Sequence, residues 1–98
     1  MKKQKGGIKM RAIITVIGKD QVGIVAKISN ICAKYNANIL DINQTLLQEI
    51  FTMVMLIDIE KITDELGVLK DELTKMGKEI ELEIHVMHED IFNSMHRI

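Results

Sequence analysis

The sequence predicts one small α+β domain, a four-stranded antiparallel sheet with two helices on one face. Three observations predict it. Elements of strand and helix period alternate in the order β-α-β-β-α-β over most of the 98 residues. The first and third strand segments are apolar on both faces, as central strands are. The last strand segment alternates apolar and charged residues, as an edge strand with one wet face does.

Met10–Ile17 opens the order with Ile13, Ile14, Thr15, Val16 and Ile17, a β-branched run that reads as a strand. Gly18-Lys19-Asp20-Gln21 breaks it, and Asp20 is the expected N-cap of a helix over Gln21–Tyr35. Ile24, Ile28, Ile31 and Tyr35 form the apolar stripe of that helix, flanked by Val25 and Cys32. Asn36-Ala37-Asn38 closes it, because asparagine tolerates left-handed backbone. Ile39–Leu47 and Phe51–Ile59 are the second and third strands, with the turn at Gln48-Glu49. Thr63 caps a predicted helix over Asp64–Met76, with Asp64 and Glu65 in its first turn, Leu66, Leu69, Leu73 and Met76 as its stripe, and Gly77 as its C′ residue. Glu79–Val86 is the fourth strand, with Ile80, Leu82, Ile84 and Val86 inward. A short helix over His88–Arg97 ends the order, with Ile91, Phe92 and Met95 on one side. This is the split-βαβ, ferredoxin-like arrangement, and right-handed crossovers give strand order 4-1-3-2.

Composition narrows the function. Five of the 13 basic residues (Lys2, Lys3, Lys5, Lys9, Arg11) sit ahead of Ala12, where no acid occurs. The other eight face all 14 acids, so residues 12–98 carry a net charge of −6. An acidic body repels phosphate backbones, so no direct nucleic-acid binding is expected, and two phenylalanines with one tyrosine make no base-stacking platform. Residues 1–9 read as a flexible basic leader and 10–98 as the domain, with Met10 an alternative initiator. The leader has no apolar signal region, no segment is apolar enough to span a membrane, and a single cysteine, Cys32, suits a reducing cytoplasm.

No catalytic constellation is visible, and the expectation is a non-enzyme with no cofactor. His85, His88 and His96 lack the carboxylate or cysteine spacing of a metal site. Cys32 reads as a small buried hydrophobe, and Ser29 and Ser94 have no base beside them. Lys19 is the only cation of the first loop, where a phosphate-holding enzyme of this fold needs an arginine; paired cysteines for a metal chaperone are also absent. The first loop does suit a small anion, because a helix N-terminus offers free N–H groups and a partial positive charge. Gly23, in the predicted first turn, marks either the close approach of a ligand or tight packing of helix on sheet.

The segment Ile14-Thr15-Val16-Ile17-Gly18-Lys19-Asp20-Gln21-Val22-Gly23-Ile24-Val25-Ala26-Lys27-Ile28 resembles the opening of an ACT domain, where a strand runs through D/N-x-x-G and two apolar residues into a helix. Asn36-Ala37-Asn38-Ile39-Leu40-Asp41-Ile42 resembles that family's approach to its second strand, and the likeness covers roughly Met10 to Val86. Ile91-Phe92-Asn93-Ser94-Met95 resembles the tail of small free-standing bacterial members related to the glycine cleavage system repressor. The resemblance implies a regulatory module that binds an amino acid or similar small carboxylate between two domains. It implies ligand contacts at Asp20, Gln21, Val22, Gly23, Ile24 and Asn38. Gly18 departs from the serine-binding members, which place a histidine there. A homo-oligomer, most simply a dimer, is expected to cover the helix-free face of the sheet, where the double-sided third strand leaves apolar residues; edge-to-edge pairing through the second or fourth strand, as in sheets that continue across ACT dimers, is the alternative. The alternative is a domain without ligand that works only by oligomerising or docking on another protein.

Overall fold

A computed structural model describes residues 10–95 of the chain. The basic leader, His96 and Arg97 lie outside the described residues. The elements are β1 (Arg11–Lys19), α1 (Ile24–Lys34), β2 (Asn38–Leu47), β3 (Ile50–Asp58), α2 (Leu66–Glu79), β4 (Leu82–His88) and α3 (Glu89–Met95). The sheet order is β2-β3-β1-β4 with every pair antiparallel, which is the predicted 4-1-3-2 read from the other edge.

Alternation sorts β1 and β3 into two faces. Ala12, Ile14 and Val16 of β1 and Phe51, Met53, Met55 and Ile57 of β3 join the core with Ile24, Ile28 and Cys32 of α1 and Leu69 and Leu73 of α2. Each large apolar side chain buried this way contributes about 1.5–3 kcal/mol. The opposite face carries Ile13, Thr15 and Ile17 of β1 and Ile50, Thr52, Val54 and Leu56 of β3. One end of that face is anchored to α3: Arg11 makes a bidentate ion pair with Glu89, at 2.9 and 2.6 Å. Ile13 is buried on that face and Leu56 half-buried, whereas Ile17, Ile50 and Val54 are exposed there.

The helix boundaries differ from the sequence expectation in one direction: both helices begin later. α1 starts at Ile24 rather than Gln21, and its N-cap is Gly23, at φ 89°, with no side-chain cap bond. Asp20 is therefore not the cap; its N–H extends the β1–β3 ladder to Glu49 O at 3.0 Å. α2 starts at Leu66 with Glu65 at its N-cap position, without a side-chain cap bond, so Thr63 does not cap the helix and Asp64 and Glu65 do not form its first turn. The Thr63 N–H instead donates to Tyr35 O at 3.0 Å.

Gly77 does not end α2. The helix continues to Glu79, and Gly77 is buried inside it. A Cβ there would lie 2.8 Å from Ile84 Cδ1 and 2.9 Å from Leu82 O, so its role is close approach of helix to strand. The chain reverses instead at Glu81, in left-handed backbone at φ 63°. Glu79, Ile80 and Glu81 thus leave the predicted fourth strand, which begins at Leu82 and runs on to His88, so α3 begins at Glu89. Leu82, Ile84 and Val86 point inward as expected. The closing turn of α1 (Asn36 at φ 62°) and the β2–β3 turn (Gln48 at φ 57°) fall where the sequence put them.

Candidate functional site

The loop between β1 and α1 stands at one end of the sheet. Asp20, Gln21 and Val22 are exposed, and Val22 is 97% exposed. Gly23 turns the chain into α1 through a conformation that L side chains rarely adopt, which is why glycine stands there. A Cβ on Gly23 would meet only Lys27 Nζ, at 3.4 Å. Tight packing on the sheet is therefore not its reason, and the space outside it is open. The first bond across this turn runs from the Lys27 N–H to Gly23 O at 2.9 Å. The N–H groups of Ile24, Val25 and Ala26 precede it and have no intrahelical acceptor. Ile24 is buried and fixes the first turn to the core.

Gln21 has a role that the sequence did not reveal. Its side-chain amide donates to Ile80 O at 2.9 Å and, more weakly, to Lys19 O at 3.4 Å. It thereby ties the loop to the connection between α2 and β4. The partner is 59 residues away, so no local pattern announces it.

Asn38 lies elsewhere. It pairs with Asp58 on β3, and Asp58 pairs with Arg11 at the start of β1. Asp20 follows the far end of β1, eight residues beyond Arg11 at Lys19. A strand rises about 3.3 Å per residue, so Asn38 and the loop are roughly 25 Å apart within one chain. The structure brings Asp20, Gln21, Val22, Gly23 and Ile24 together and leaves Asn38 at the opposite end.

β2 is the edge next to this end of the molecule, and its residues are exposed except for half-buried Ile39. Leu46 is 56% and Leu47 67% exposed, with Leu40 and Ile42 also open to solvent. A bulge between Ile39 and Asp41 interrupts its pairing with β3; beyond it the strand is regular to Leu47.

The strongest electrostatic cluster is remote from the loop, where α1 ends against α2. Glu72 accepts from Lys34 Nζ at 3.0 and 3.1 Å and from the Tyr35 hydroxyl at 2.5 Å. The tyrosine bond, then the lysine, hold the Glu72 carboxyl below its usual range. The same contacts raise Lys34 and Tyr35. This cluster ties two helices and leaves no free reactive group. Burial pushes the Cys32 thiol up to about 11, which suits a packing residue rather than a nucleophile. His85 pairs with Glu83 at 3.3 Å on the open face, both well exposed. Among the described residues no group of His, Cys, Asp or Glu could hold a metal ion, and no helix is long and apolar enough to cross a membrane.

Comparison with known proteins adds to this geometry. A profile of the ACT domain matches residues 10–87. A UPF0237 protein of Listeria innocua is 52% identical over 89 residues, covering 91% of this chain and all of that protein. An ACT domain protein from Streptococcus pneumoniae superposes with a TM-score of 0.74 at 38% identity, over 87% of this chain and 96% of the other. A protein described as a glycine cleavage system transcriptional repressor superposes with a TM-score of 0.72 over 84% of this chain and 47% of its own. At 21% identity that last likeness concerns the fold alone.

Proposed function

The chain belongs to the ACT domain family, and on that premise we propose that it is a cytoplasmic, homodimeric sensor of an amino acid or similar small carboxylate. ACT domains are generally regulatory ligand-binding modules. The observation that carries the reading is the opening of α1. Gly23 caps the helix without a side-chain bond, so the N–H groups of its first turn stay available to a ligand carboxylate, which the helix dipole also favours. Asp20, free of any capping duty, supplies a charge for the ligand's ammonium.

The distance between Asn38 and the loop bears on the dimer. β2 runs parallel to β1, so a two-fold axis through the β2 edges sets the Asn38 end of one copy beside the loop end of the other. With the axis at Asn43, Asn38 of the second copy falls opposite Gln48, next to the Glu49 carbonyl that receives the Asp20 N–H. The edge supports such pairing. Natural edges are commonly guarded by charged residues, proline or bulges; beyond the bulge at Ile39–Asp41, residues Ile42 to Leu47 of β2 have none of these, and the strand exposes four large apolar residues. This favours pairing through β2 over packing through the helix-free face.

The test is a thermal-shift screen against amino acids, followed by calorimetry of any hit. Asp20→Asn and Asn38→Ala should each weaken binding by roughly ten- to a hundredfold, the size of a lost charge-assisted or buried polar contact. Leu46→Lys should give a monomer in sedimentation. If no amino acid binds and the wild type is still a dimer that Leu46→Lys breaks, the chain is an interaction domain, the reading that the bare β2 edge favours independently.

A further inference from the structure

The helix-free face changes character along its strands. At the Arg11 end α3 packs on β1 and β4, and Ile13 is buried although it points away from the core. At the other end Ile17 is 48% and Ile50 50% exposed. The strand register sets Asn43, Val54, Thr15 and His85 in one row across all four strands. The next row is Thr45, Thr52, Ile17 and Glu83. The middle of the face is therefore uncharged. Its charges stand at the rim: Lys19 at the bare end, Glu83 and His85 on the β4 edge, Glu89 and Asp90 on α3. Protein interfaces share that anatomy, an uncharged centre within a polar rim.

We infer that this face stacks on the same face of a second copy, so that two β2-paired dimers close into a tetramer; the inference rests on the β2 pairing proposed above. Area identifies the occupant. Four strands about 4.8 Å apart and seven residues of about 3.3 Å make a face of roughly 440 Å². One copy thus falls short of the roughly 800 Å² per partner of a stable interface, whereas the continuous face of a β2-paired dimer, roughly 900 Å², reaches it. The position of α3 sets the orientation. A helix is about 10 Å across and stacked sheets lie about 10 Å apart, so α3 stands in the layer between two sheets. A two-fold axis along the strands would put both α3 helices at one end and wedge the sheets apart there. A two-fold axis across the strands brings the bare end of each copy to the α3 end of the other. Lys19, which makes no ion pair among the described residues, then meets the exposed Asp90 of the second copy. That axis runs along the row from Asn43 to His85. Asn43 is also where the β2 axis passes, so the two axes cross and the assembly closes at four copies.

Sedimentation over a dilution series tests the stack. The wild type should be a tetramer at about 100 µM and a dimer on dilution, as an interface of this size permits. Val54 meets its own copy across the axis, so Val54→Lys sets like charges together; it should weaken the tetramer about a hundredfold or more and leave the dimer. Ile17→Lys, one row on, repeats the test if Val54→Lys melts below the wild type. Val68→Lys is the control: Val68 on α2 is 38% exposed against 39% for Val54, but on the helix side, and the tetramer should survive. A wild type that stays a dimer at about 1 mM would overturn the stack. So would a tetramer that both Val54→Lys and Ile17→Lys leave intact, or one that Val68→Lys breaks equally. Leu46→Lys keeps the two interfaces apart. It should give monomers, because one copy's face is too small to hold alone. If Leu46→Lys instead leaves a dimer that Val54→Lys splits, the β2 pairing fails and the stacking face stands.

Discussion

Gly77 offers a sharp trial of how α2 sits on the sheet. Replacing it with alanine adds a Cβ 2.8 Å from Ile84 Cδ1, 2.9 Å from Ile84 Cγ1 and 2.9 Å from Leu82 O. The isoleucine can rotate, but the carbonyl belongs to β4 and cannot. Overpacking of this kind costs about 1–3 kcal/mol. Alanine regains about 0.8–1 kcal/mol of helix propensity over glycine. The net is a loss of up to about 2 kcal/mol, which for a domain of this size lowers Tm by up to roughly 15 °C. Gly67, in the first turn of the same helix, is the control: a Cβ there has nothing within 4 Å. Gly67→Ala should therefore raise Tm slightly, by about 0.5 kcal/mol of stability. Asparagine separates packing from turn chemistry. At a C′ position Gly77→Asn would be milder than Gly77→Ala, because asparagine tolerates left-handed backbone; against β4 it must be worse, because it is larger. Calorimetry at one fixed protein concentration measures all three, since association shifts Tm. An asparagine variant more stable than the alanine variant, or a Gly77→Ala more stable than the wild type, would refute the close approach.

Gln21→Ala removes the side-chain bond to Ile80 O. It should cost under about 1 kcal/mol, yet speed amide exchange at Glu81 and Leu82, because the link is exposed and local. Unchanged exchange there would mean that the loop and the α2–β4 connection are not tied. Tyr35→Phe removes the first cause of the low Glu72 carboxyl. The titration of Glu72, followed by carbon NMR, should move up toward the ordinary carboxylate range. A group depressed on folding stabilises above its unfolded pKa and loses that contribution as pH falls through its folded value. The stability gap between wild type and Tyr35→Phe should therefore narrow on acidification, and a gap that widens would contradict the assignment.

The sequence made the order of elements and the sheet topology legible because both follow from apolar periodicity, which burial enforces residue by residue. Ile14, Val16, Met53 and Met55 on β1 and β3 are fully or nearly fully buried, and the open side still carries Ile17 and Val54. Helix ends were legible only where local chemistry decides them, as at Asn36. At the other ends a distant contact decides. Asp20 looks like a cap, but its N–H is taken by Glu49 across the sheet, so the helix waits for Gly23. Gly77 looks like a stop, but β4 needs the space its side chain would fill. Glu81, which does make the reversal, is a residue type that left-handed backbone rarely accepts, so no composition rule would pick it. The loop residues of the candidate site were legible as one contiguous motif. Asn38 was legible as a residue type but not as a place, because its distance from the loop depends on strand direction.

On the proposed reading, in which Asn38 of a second copy completes the loop site, that distance makes ligand affinity at the loop a function of protein concentration. A ligand touching both the loop and Asn38 binds two chains at once, so it binds the dimer more tightly than the monomer. Linkage then requires the dimer to be strengthened by the same factor. If the Asn38 contact is worth about tenfold per site, two bound ligands should tighten dimerisation by about a hundredfold. Sedimentation with and without ligand reads this directly. The apparent affinity at the loop should fall as the protein is diluted through its dimer dissociation constant. A loop affinity that does not change with dilution would mean that Asn38 takes no part, and the ligand would then be held by Asp20 and the first turn of α1 alone.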